Sequence, residues 1–385
     1  MNIGINARYL QNPNSGIENY LLNLILGLKQ VDTKNNYTLF FGKNPVPEQV
    51  LGSGFNCDVS RMPTHNQILK ILWGHFYLPS RIKKMKLDVF HEPCFIPPVF
   101  KICPTVITVH DVSHRIVPHC FTLRNRLYVD MLLGKSLQAA DSVITVSESS
   151  KNDIISNYKV SPKKIRVIYE GVNDQFRKIN NPKVIEDTKR LYNIKGDFIL
   201  NISLITPRKN LVSLIRAFYL LKISKKINYQ LVIVGRKGWL YDDIFKEVIK
   251  LKLEEDVIFC GHAPSEHLVH LYNAASAFVY PSLYEGFGLP ILEAMACGCP
   301  VVSSNVSSIP EVCGGAALLV NPKNIEEIAY TVNRVIVDTD LRRDLINKSS
   351  ERIKFFSWQK AAAETLSVYK EVCLAVGKCS SGEKS

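Results

Sequence analysis

Over most of the chain, apolar residues alternate between a period typical of strands and a period typical of helices. In the first half, this pattern predicts helices over residues 16–30 and 124–139, and strands over residues 3–5, 37–42, 88–91, 105–111, 142–147 and 165–170. Short strands that alternate with helices are typical of parallel sheets, because neighbouring parallel strands need a crossover connection. The first half is therefore predicted to be an α/β domain.

The alternation is interrupted over residues 172–195, a polar interval that we interpret as a linker with an irregular helix. It then restarts, with helices predicted over residues 210–222, 242–252, 266–275, 289–296 and 325–337, and strands over residues 198–203, 230–235, 257–261, 277–281, 300–303 and 317–320. Two such series predict two Rossmann-like α/β domains with parallel sheets, at residues 1–175 and 176–345. The helical pattern beyond them predicts C-terminal helices, over residues 346–376, that pack back toward the first domain.

The composition agrees with this division. A chain of 385 residues is long enough for two domains of about 150–200 residues each. No stretch approaches the roughly 20 apolar residues of a membrane helix. The first residues lack the basic and apolar blocks of a signal peptide. We therefore expect a cytoplasmic protein.

The charge narrows the range of partners. The formal net charge is +13, from 48 Lys and Arg residues against 35 Asp and Glu residues. Such an excess can attract phosphorylated substrates or anionic lipids, so we expect a weak, peripheral association with the inner face of the membrane. The basic residues form short groups without interleaved aromatic residues, so no nucleic-acid partner is expected.

No metal site is predicted. The histidines and cysteines have no metal-ligand spacing. The one Asp-x-Asp sequence, Asp338-Thr339-Asp340, begins a late helix, where capping of the helix is the better interpretation.

Residues 281–294, Pro-Ser-Leu-Tyr-Glu-Gly-Phe-Gly-Leu-Pro-Ile-Leu-Glu-Ala, carry the strongest functional signal. They run from the end of a predicted strand through a glycine-containing loop into a helix. Gly286 and Gly288 allow close approach of a ligand, and the amides of the loop and first helical turn suit an anion. Glu285 and Glu293 can border the same pocket and accept hydrogen bonds from hydroxyl groups. A nucleotide sugar needs both kinds of contact.

Two other interpretations of this segment compete. It half-resembles the dinucleotide fingerprint of dehydrogenases, but the third glycine is missing and the segment comes late in the chain. Alternatively, it is a buried strand–loop–helix with glutamates that face solvent.

Glu285 and Glu293, within Glu-Gly-Phe-Gly-Leu-Pro-Ile-Leu-Glu-Ala-Met, resemble the signature of retaining glycosyltransferases of GT-B architecture, family four, from Gly16 to about residue 320. The resemblance implies two Rossmann-like domains that face each other across a cleft, with residues 1–175 as the acceptor domain and residues 176–345 as the nucleotide-sugar donor domain. It also implies retention of the anomeric configuration. It places Glu285 by the donor sugar, as a catalytic residue, and Glu293 on the ribose hydroxyls. The diphosphate would meet the amides of Phe287 to Leu289.

A second motif, Thr-Pro-Arg-Lys-Asn-Leu at residues 206–211, follows the first strand of the second half. It resembles a variant of the family's phosphate site, so Lys209 and Arg208 are expected to bind the diphosphate. Many members have an arginine where this chain has Leu204. Arg208 is therefore either the substitute cation or a residue that points to solvent.

The first half contributes two further candidates. His110 ends a strand, at the edge where ligands bind in open α/β sheets. It resembles the family's first-domain histidine, which contacts the donor sugar, and is predicted to be a catalytic residue. Gly16 begins the first helix, and the resemblance implies that its loop closes on the donor phosphate; helix capping by Ser15 is compatible with this.

The expected reaction is transfer of a hexose from a nucleotide sugar to a glycan or lipid-linked acceptor in surface polysaccharide synthesis. The motifs resemble those of bacterial mannosyltransferases, which favours GDP-mannose as the donor. UDP-linked hexoses remain the alternative donors. No cofactor is expected besides the GDP- or UDP-linked co-substrate. The alternatives are a nucleotide-sugar epimerase or hydrolase, and a catalytically silent protein that binds sugar nucleotides.

Overall fold

The structure is a computed structural model that describes residues 1–11, 16–43, 46–52, 54–61, 69, 73–94, 101–225 and 227–377. The chain forms two compact units. Unit 1 comprises Met1–Val112, Leu127–Gly171 and Ser357–Ser385, and unit 2 comprises Ser113–Arg126 and Val172–Phe356. The predicted domain ranges 1–175, 176–345 and 346–376 stay predictions.

The sheet of unit 1 has seven parallel strands in the order β3-β2-β1-β4-β5-β6-β7. The strands are β1 (Asn2–Asn6), β2 (Asn36–Phe41), β3 (Asn56–Val59), β4 (Val89–Glu92), β5 (Thr105–Val109), β6 (Ser142–Thr145) and β7 (Ile165–Val167). Strands β4, β5 and β6 are completely buried, as expected where helices cover both faces of a parallel sheet.

The sheet of unit 2 has six parallel strands in the order β10-β9-β8-β11-β12-β13. These are β8 (Asp197–Ile202), β9 (Tyr229–Val234), β10 (Val257–Gly261), β11 (Ala277–Tyr280), β12 (Val301–Ser304) and β13 (Leu318–Val320). Their apolar side chains form one buried core with those of the flanking helices, including Phe218, Leu231 and Val279.

The α-helices of the described residues are also numbered in chain order. They are α1 (Gly16–Val31), α2 (Glu48–Leu51), α3 (Leu78–Lys84), α4 (Ser113–Ile116), α5 (Leu123–Ala139), α6 (Glu148–Tyr158), α7 (Pro182–Leu191), α8 (Leu211–Lys225), α9 (Asp242–Lys250), α10 (Ser265–Ala274), α11 (Leu289–Ala296), α12 (Ile309–Cys313), α13 (Ile325–Val337), α14 (Thr339–Arg352) and α15 (Trp358–Ala375). Short 3₁₀ turns include Arg8–Gln11 and Pro207–Lys209, and Trp73–Tyr77 is a π-helical turn.

The last helix, α15, belongs to unit 1, where it packs on α1. The two helices touch so closely at Gly27 that a β-carbon there would lie 2.7 Å from the carbonyl oxygen of Trp358. Glycine is therefore required at position 27 for this packing.

The predicted fold class is confirmed, because each unit is an α/β domain built on a parallel sheet. Numbered within each unit, the strand order of the second sheet is 3-2-1-4-5-6, and the first sheet has the same order with a seventh strand added at its end; this is the order of Rossmann-like domains. The capping interpretation of Asp338 is also confirmed, since its carboxylate accepts a hydrogen bond from the Leu341 amide at 2.9 Å. In the described ranges, no helix has both the length and the apolar character needed to span a bilayer.

Candidate active site

The predicted site residues of the second half lie at one place in the sheet of unit 2. Strand β8 pairs with β9 on one side and with β11 on the other. The crossovers from these central strands run in opposite directions, which makes this pair the topological switch point, where open α/β sheets bind ligands. Arg208 and Lys209 follow β8, and Glu285 follows β11.

The loop after β11 is held by serine side chains through its carbonyl oxygens. Ser304 Oγ donates to the carbonyl of Ser282 at 2.6 Å. Ser308 Oγ lies 3.0 Å from the carbonyl of Glu285 and 2.9 Å from that of Phe287. The Glu285 amide in turn donates to Ser307 Oγ at 2.9 Å, so serine side chains fix both the carbonyls and an amide of this loop.

The loop ends at Gly288, which has a φ of +113° and precedes the first residue of α11. This left-handed conformation favours glycine, since a β-carbon would be strained there. Among the described residues, the amides of Gly288 and Leu289 have no protein acceptor. The N-terminus of α11 therefore presents amide donors and the positive end of the helix dipole.

Glu285 forms an ion-pair cluster with the two cations predicted for the diphosphate. Its Oε1 lies 2.6 Å from Lys209 Nζ, and its Oε2 lies 3.0 Å from Arg208 Nη1. The Arg208 guanidinium also donates to the carbonyl of Tyr284 at 2.6 Å. Lys209 additionally donates to the Tyr280 hydroxyl and lies over its ring. The alternative in which Arg208 points to solvent is therefore wrong, because this side chain turns inward to Glu285.

The cluster keeps the buried Glu285 ionised. Burial acts to raise the pKa of this carboxyl group, but the charges of Arg208 and Lys209 outweigh it and hold the pKa at about 2. Glu285 is only 6% exposed, so the alternative of a glutamate that faces solvent is wrong. At neutral pH the site contains one carboxylate and two cations.

Glu293 lies one turn inside α11 in a different environment. It is 7% exposed, and its Oε2 accepts a hydrogen bond from the Tyr272 hydroxyl at 3.0 Å. Burial raises its pKa to about 7, although the hydrogen bond from Tyr272 opposes the shift. Glu293 therefore titrates near neutral pH, whereas Glu285 does not.

The turn that carries the cations is fastened to the loop by Asn210. This residue has a φ of +56°, in the left-handed region that asparagine tolerates. Its side-chain amide donates to the carbonyl of Pro281 at 3.0 Å and to that of Pro322 at 2.6 Å. The Leu283 amide donates to the Arg208 carbonyl at 2.9 Å. These bonds fix the spacing between Glu285 and the cations.

His110 and Gly16 belong to unit 1 and are not part of this cluster. The His110 ring donates from Nε2 to the carbonyl of Pro93 at 3.1 Å, and its Nδ1 lies 3.5 Å from Glu170 Oε1. Tyr20 contacts the ring edge-on. Both ring nitrogens therefore face protein groups.

Gly16 is exposed at the start of α1, and a β-carbon there would meet nothing within 4 Å. Ser15, the residue considered for capping, lies outside the described residues. The roles of Gly16 and His110 stay predictions.

Several residues of the site were missed from the sequence. Tyr280 and Tyr272 contact Lys209 and Glu293, yet each lies in an apolar run and looked like core. The turn at the left-handed Asn210 could have been predicted, because an asparagine that follows Arg-Lys and directly precedes a helix is typical of a turn.

The chain forms two doubly wound domains, and the switch point of the second has cations, a carboxylate and a helix N-terminus. These features define the class of two-domain proteins with the fold called GT-B. The chain matches the family Glycosyltransferase Family 4 over residues 14–176 and the family Glycosyl transferases group 1 over residues 185–352. It belongs to this family of glycosyltransferases.

Three comparisons illustrate the relationship. The chain is 30% identical over 371 residues to O-antigen chain mannosyltransferase B of Escherichia coli, covering 93% of this chain and 96% of that protein. Its fold is similar to that of sucrose-phosphate synthase from Thermosynechococcus elongatus, with a TM-score of 0.77 at 19% identity over 97% of this chain and 100% of that one. It is also similar to HepE of Anabaena, solved in complex with UDP-glucose, with a TM-score of 0.72 at 20% identity over 96% and 100% of the two chains.

Proposed function

We propose that this glycosyltransferase moves mannose from GDP-mannose to a glycan or lipid-linked acceptor in surface polysaccharide synthesis, with retention of the anomeric configuration. The observation that carries the proposal is the ionised Glu285, held 2.6 Å from Lys209 and 3.0 Å from Arg208 at the switch point of unit 2. Two cations against one carboxylate, beside a helix N-terminus, favour an anion such as a nucleotide diphosphate.

The proposal assigns a separate task to each group. Lys209, Arg208 and the amides near Gly288 bind the diphosphate and neutralise the charge that develops as the glycosidic bond breaks. Glu285 accepts hydrogen bonds from hydroxyl groups of the donor sugar. Glu293 accepts hydrogen bonds from the ribose. The leaving diphosphate oxygen takes the proton of the acceptor hydroxyl, so no side chain need serve as a strong base.

The choice of sugar and acceptor is supported by similarity. The relative from Escherichia coli is named an O-antigen chain mannosyltransferase and aligns over almost its whole length. HepE, with the same fold, was solved with UDP-glucose, which supports a nucleotide sugar as donor in this architecture. We propose that no metal ion takes part, since lysine, arginine and helix amides supply the positive charge. The net charge of +13 supports a weak association with the anionic inner face of the membrane.

The test is product analysis with a panel of donors. GDP-mannose, UDP-glucose, UDP-galactose and UDP-N-acetylglucosamine are each incubated with methyl α-mannoside and with a lipid-linked mannoside, with and without EDTA. We expect an α-linked mannoside from GDP-mannose alone, identified by its anomeric NMR signals, and the same rate with EDTA. Turnover of donor without an acceptor would indicate a hydrolase or epimerase, and binding without turnover would indicate a silent protein.

Variants test the assignment of the site. Glu285→Ala is expected to lower kcat mainly, and Glu293→Ala to weaken donor binding, whereas the exposed Glu254→Gln of the same unit serves as the control. Activity of both site variants equal to that of the control would refute the assignment.

A further inference from the structure

Residues 113–122, which we call the strap, connect β5 to α5 in sequence and group with unit 2. They contain α4 and the 3₁₀ turn Pro118–Cys120. The strap lies against two loops of unit 2, one after β9 and one after β11. Because β9 and β11 flank the parallel strand β8, these loops lie on either side of the turn that follows β8 and carries the two cations. The strap therefore bridges the two neighbours of the cation turn.

On the β11 side, the strap covers the residue that precedes Glu285. Tyr284 is 3% exposed and packs with Val117 and the completely buried Cys120. The carbonyl of Tyr284 accepts the hydrogen bond from Arg208 Nη1 at 2.6 Å. Burial raises the pKa of the Cys120 thiol and the charge of Arg208 opposes this, so the thiol lies within electrostatic range of the guanidinium. The strap thus packs on the residue whose carbonyl holds Arg208.

On the β9 side, Trp239 anchors the strap. Its indole Nε1 donates to the carbonyl of Cys120 at 2.7 Å. Its ring contacts the ring of Phe121, with the two centroids 5.6 Å apart. A directional hydrogen bond and an aromatic contact therefore fix two adjacent residues of the strap.

The loop after β9 is joined in turn to the cation turn. The Ile205 carbonyl accepts a hydrogen bond from the Gly238 amide at 3.0 Å. A β-carbon at position 238 would lie 2.5 Å from Thr206 Cγ2, so only glycine allows this approach. Gly238 directly precedes Trp239, and Thr206 directly precedes the turn Pro207–Lys209. The anchor of the strap and the cation turn are therefore held together.

These contacts form a closed circuit around one guanidinium. The circuit runs from Arg208 to Tyr284, through the strap to Trp239, and back along the loop after β9 to the cation turn. An arginine side chain has many rotamers, and contacts on several sides are needed to hold it in one of them. We propose that Cys120, Tyr284 and Trp239 are positioning residues that hold Arg208 in place for the diphosphate. This inference rests on the proposed function for the ligand of Arg208.

The experiment measures affinity for inorganic pyrophosphate by calorimetry, because this probe contains neither sugar nor base. It compares the wild type, Trp239→Phe, Arg208→Gln, the double variant and the control Tyr330→Phe, which changes an exposed aromatic residue of the same unit. We expect Trp239→Phe to weaken binding about fivefold, the size of one lost hydrogen bond. In the Arg208→Gln background, the same substitution should change affinity by less than about 1.5-fold, since the guanidinium that it positions is absent. The control should bind like the wild type.

A second measurement follows the strap itself. The rate of Cys120 alkylation by iodoacetamide is determined by mass spectrometry, with the exposed Cys57 as an internal standard. Trp239→Phe should react about fivefold faster at Cys120, because opening of the strap then breaks one hydrogen bond fewer. The rate at Cys57 should stay the same. Equal rates at Cys120 in both proteins would show that Trp239 does not anchor the strap and would overturn the proposal.

The transfer assay distinguishes positioning from general destabilisation. Destabilisation lowers the active fraction, so kcat falls while both KM values stay unchanged, whereas loss of position should raise the KM of the donor and leave that of the acceptor. Equal effects of Trp239→Phe in both backgrounds, or absence of pyrophosphate binding by the wild type, overturn the positioning role. A wild type that transfers no sugar, but shows the expected dependence of pyrophosphate binding on Trp239 and Arg208, refutes the proposed function and supports the positioning role.

Discussion

Replacing Glu285 with glutamine tests the electrostatics of the unit 2 site most directly. The substitution keeps the shape of the side chain and removes the charge that pairs with Lys209 and Arg208. The folded state holds the pKa of this group at about 2 instead of 4.5. A shift of about 2.5 units at about 1.4 kcal/mol per unit corresponds to about 3 kcal/mol of stability at neutral pH.

The sign of the pH dependence follows from the lowered pKa. The stabilisation is complete above the unfolded value of 4.5 and is lost as the pH falls toward 2. The difference in unfolding free energy between wild type and Glu285→Gln should therefore be about 3 kcal/mol at pH 7 and about 1 kcal/mol at pH 3.

The assay is urea unfolding at pH 7, 5 and 3, with Glu254→Gln as the control for loss of an exposed carboxylate. The control should differ from wild type by less than about 0.5 kcal/mol at every pH. A difference below about 1 kcal/mol for Glu285→Gln at pH 7, or one that does not shrink toward pH 3, would show that the ion pairs do not stabilise the fold as argued.

Three further changes have defined outcomes. Lys209→Met should lower kcat/KM by at least about 100-fold through loss of charge at the diphosphate, measured in the transfer assay; a change below threefold would refute this role. Calorimetry should show GDP affinity rising from pH 6 to pH 8 as Glu293 ionises, with a smaller rise in Glu293→Gln; parallel profiles would contradict the ribose contact. Gly235→Ala places a β-carbon 1.9 Å from the Ser203 carbonyl at a φ of +151°, and should cost more than about 2 kcal/mol in urea unfolding; an unchanged midpoint would contradict the close approach.

Most of the fold was predictable because buried parallel strands are short apolar runs that differ clearly from the helices between them. Strand β3 was missed, since Asn56-Cys57-Asp58-Val59 is polar and three of its four residues are exposed at the sheet edge. Edge strands lack the apolar faces that make central strands recognisable. The sequence around α7 has no clear apolar period because that helix buries only Thr188, so it was interpreted as a linker with an irregular helix.

The extent of unit 2 could not be predicted from local pattern. Residues 113–126 come between two strands of the first sheet, yet they group with unit 2. There, Val117 and Cys120 pack on Tyr284, and Trp239 Nε1 donates to the carbonyl of Cys120 at 2.7 Å. Periodicity describes elements in chain order, so it contains no information on such long-range packing.

The identity of the charged residues in the site was predictable, but their pairing was not. Thr-Pro-Arg-Lys-Asn and Tyr-Glu-Gly-Phe-Gly each indicate chemistry. Nothing in either motif shows that Glu285 contacts both cations, although Lys209 lies 76 residues before it in the sequence. The contact arises because β8 and β11 are neighbours only through the reversal of strand order at the switch point. In open α/β sheets ligands bind at such a reversal, so in the proposed function the topology that brings the charges together would also give the diphosphate access to them. A mutation that disturbs the pairing of β8 with β11 should therefore affect the ion pairs and ligand binding together.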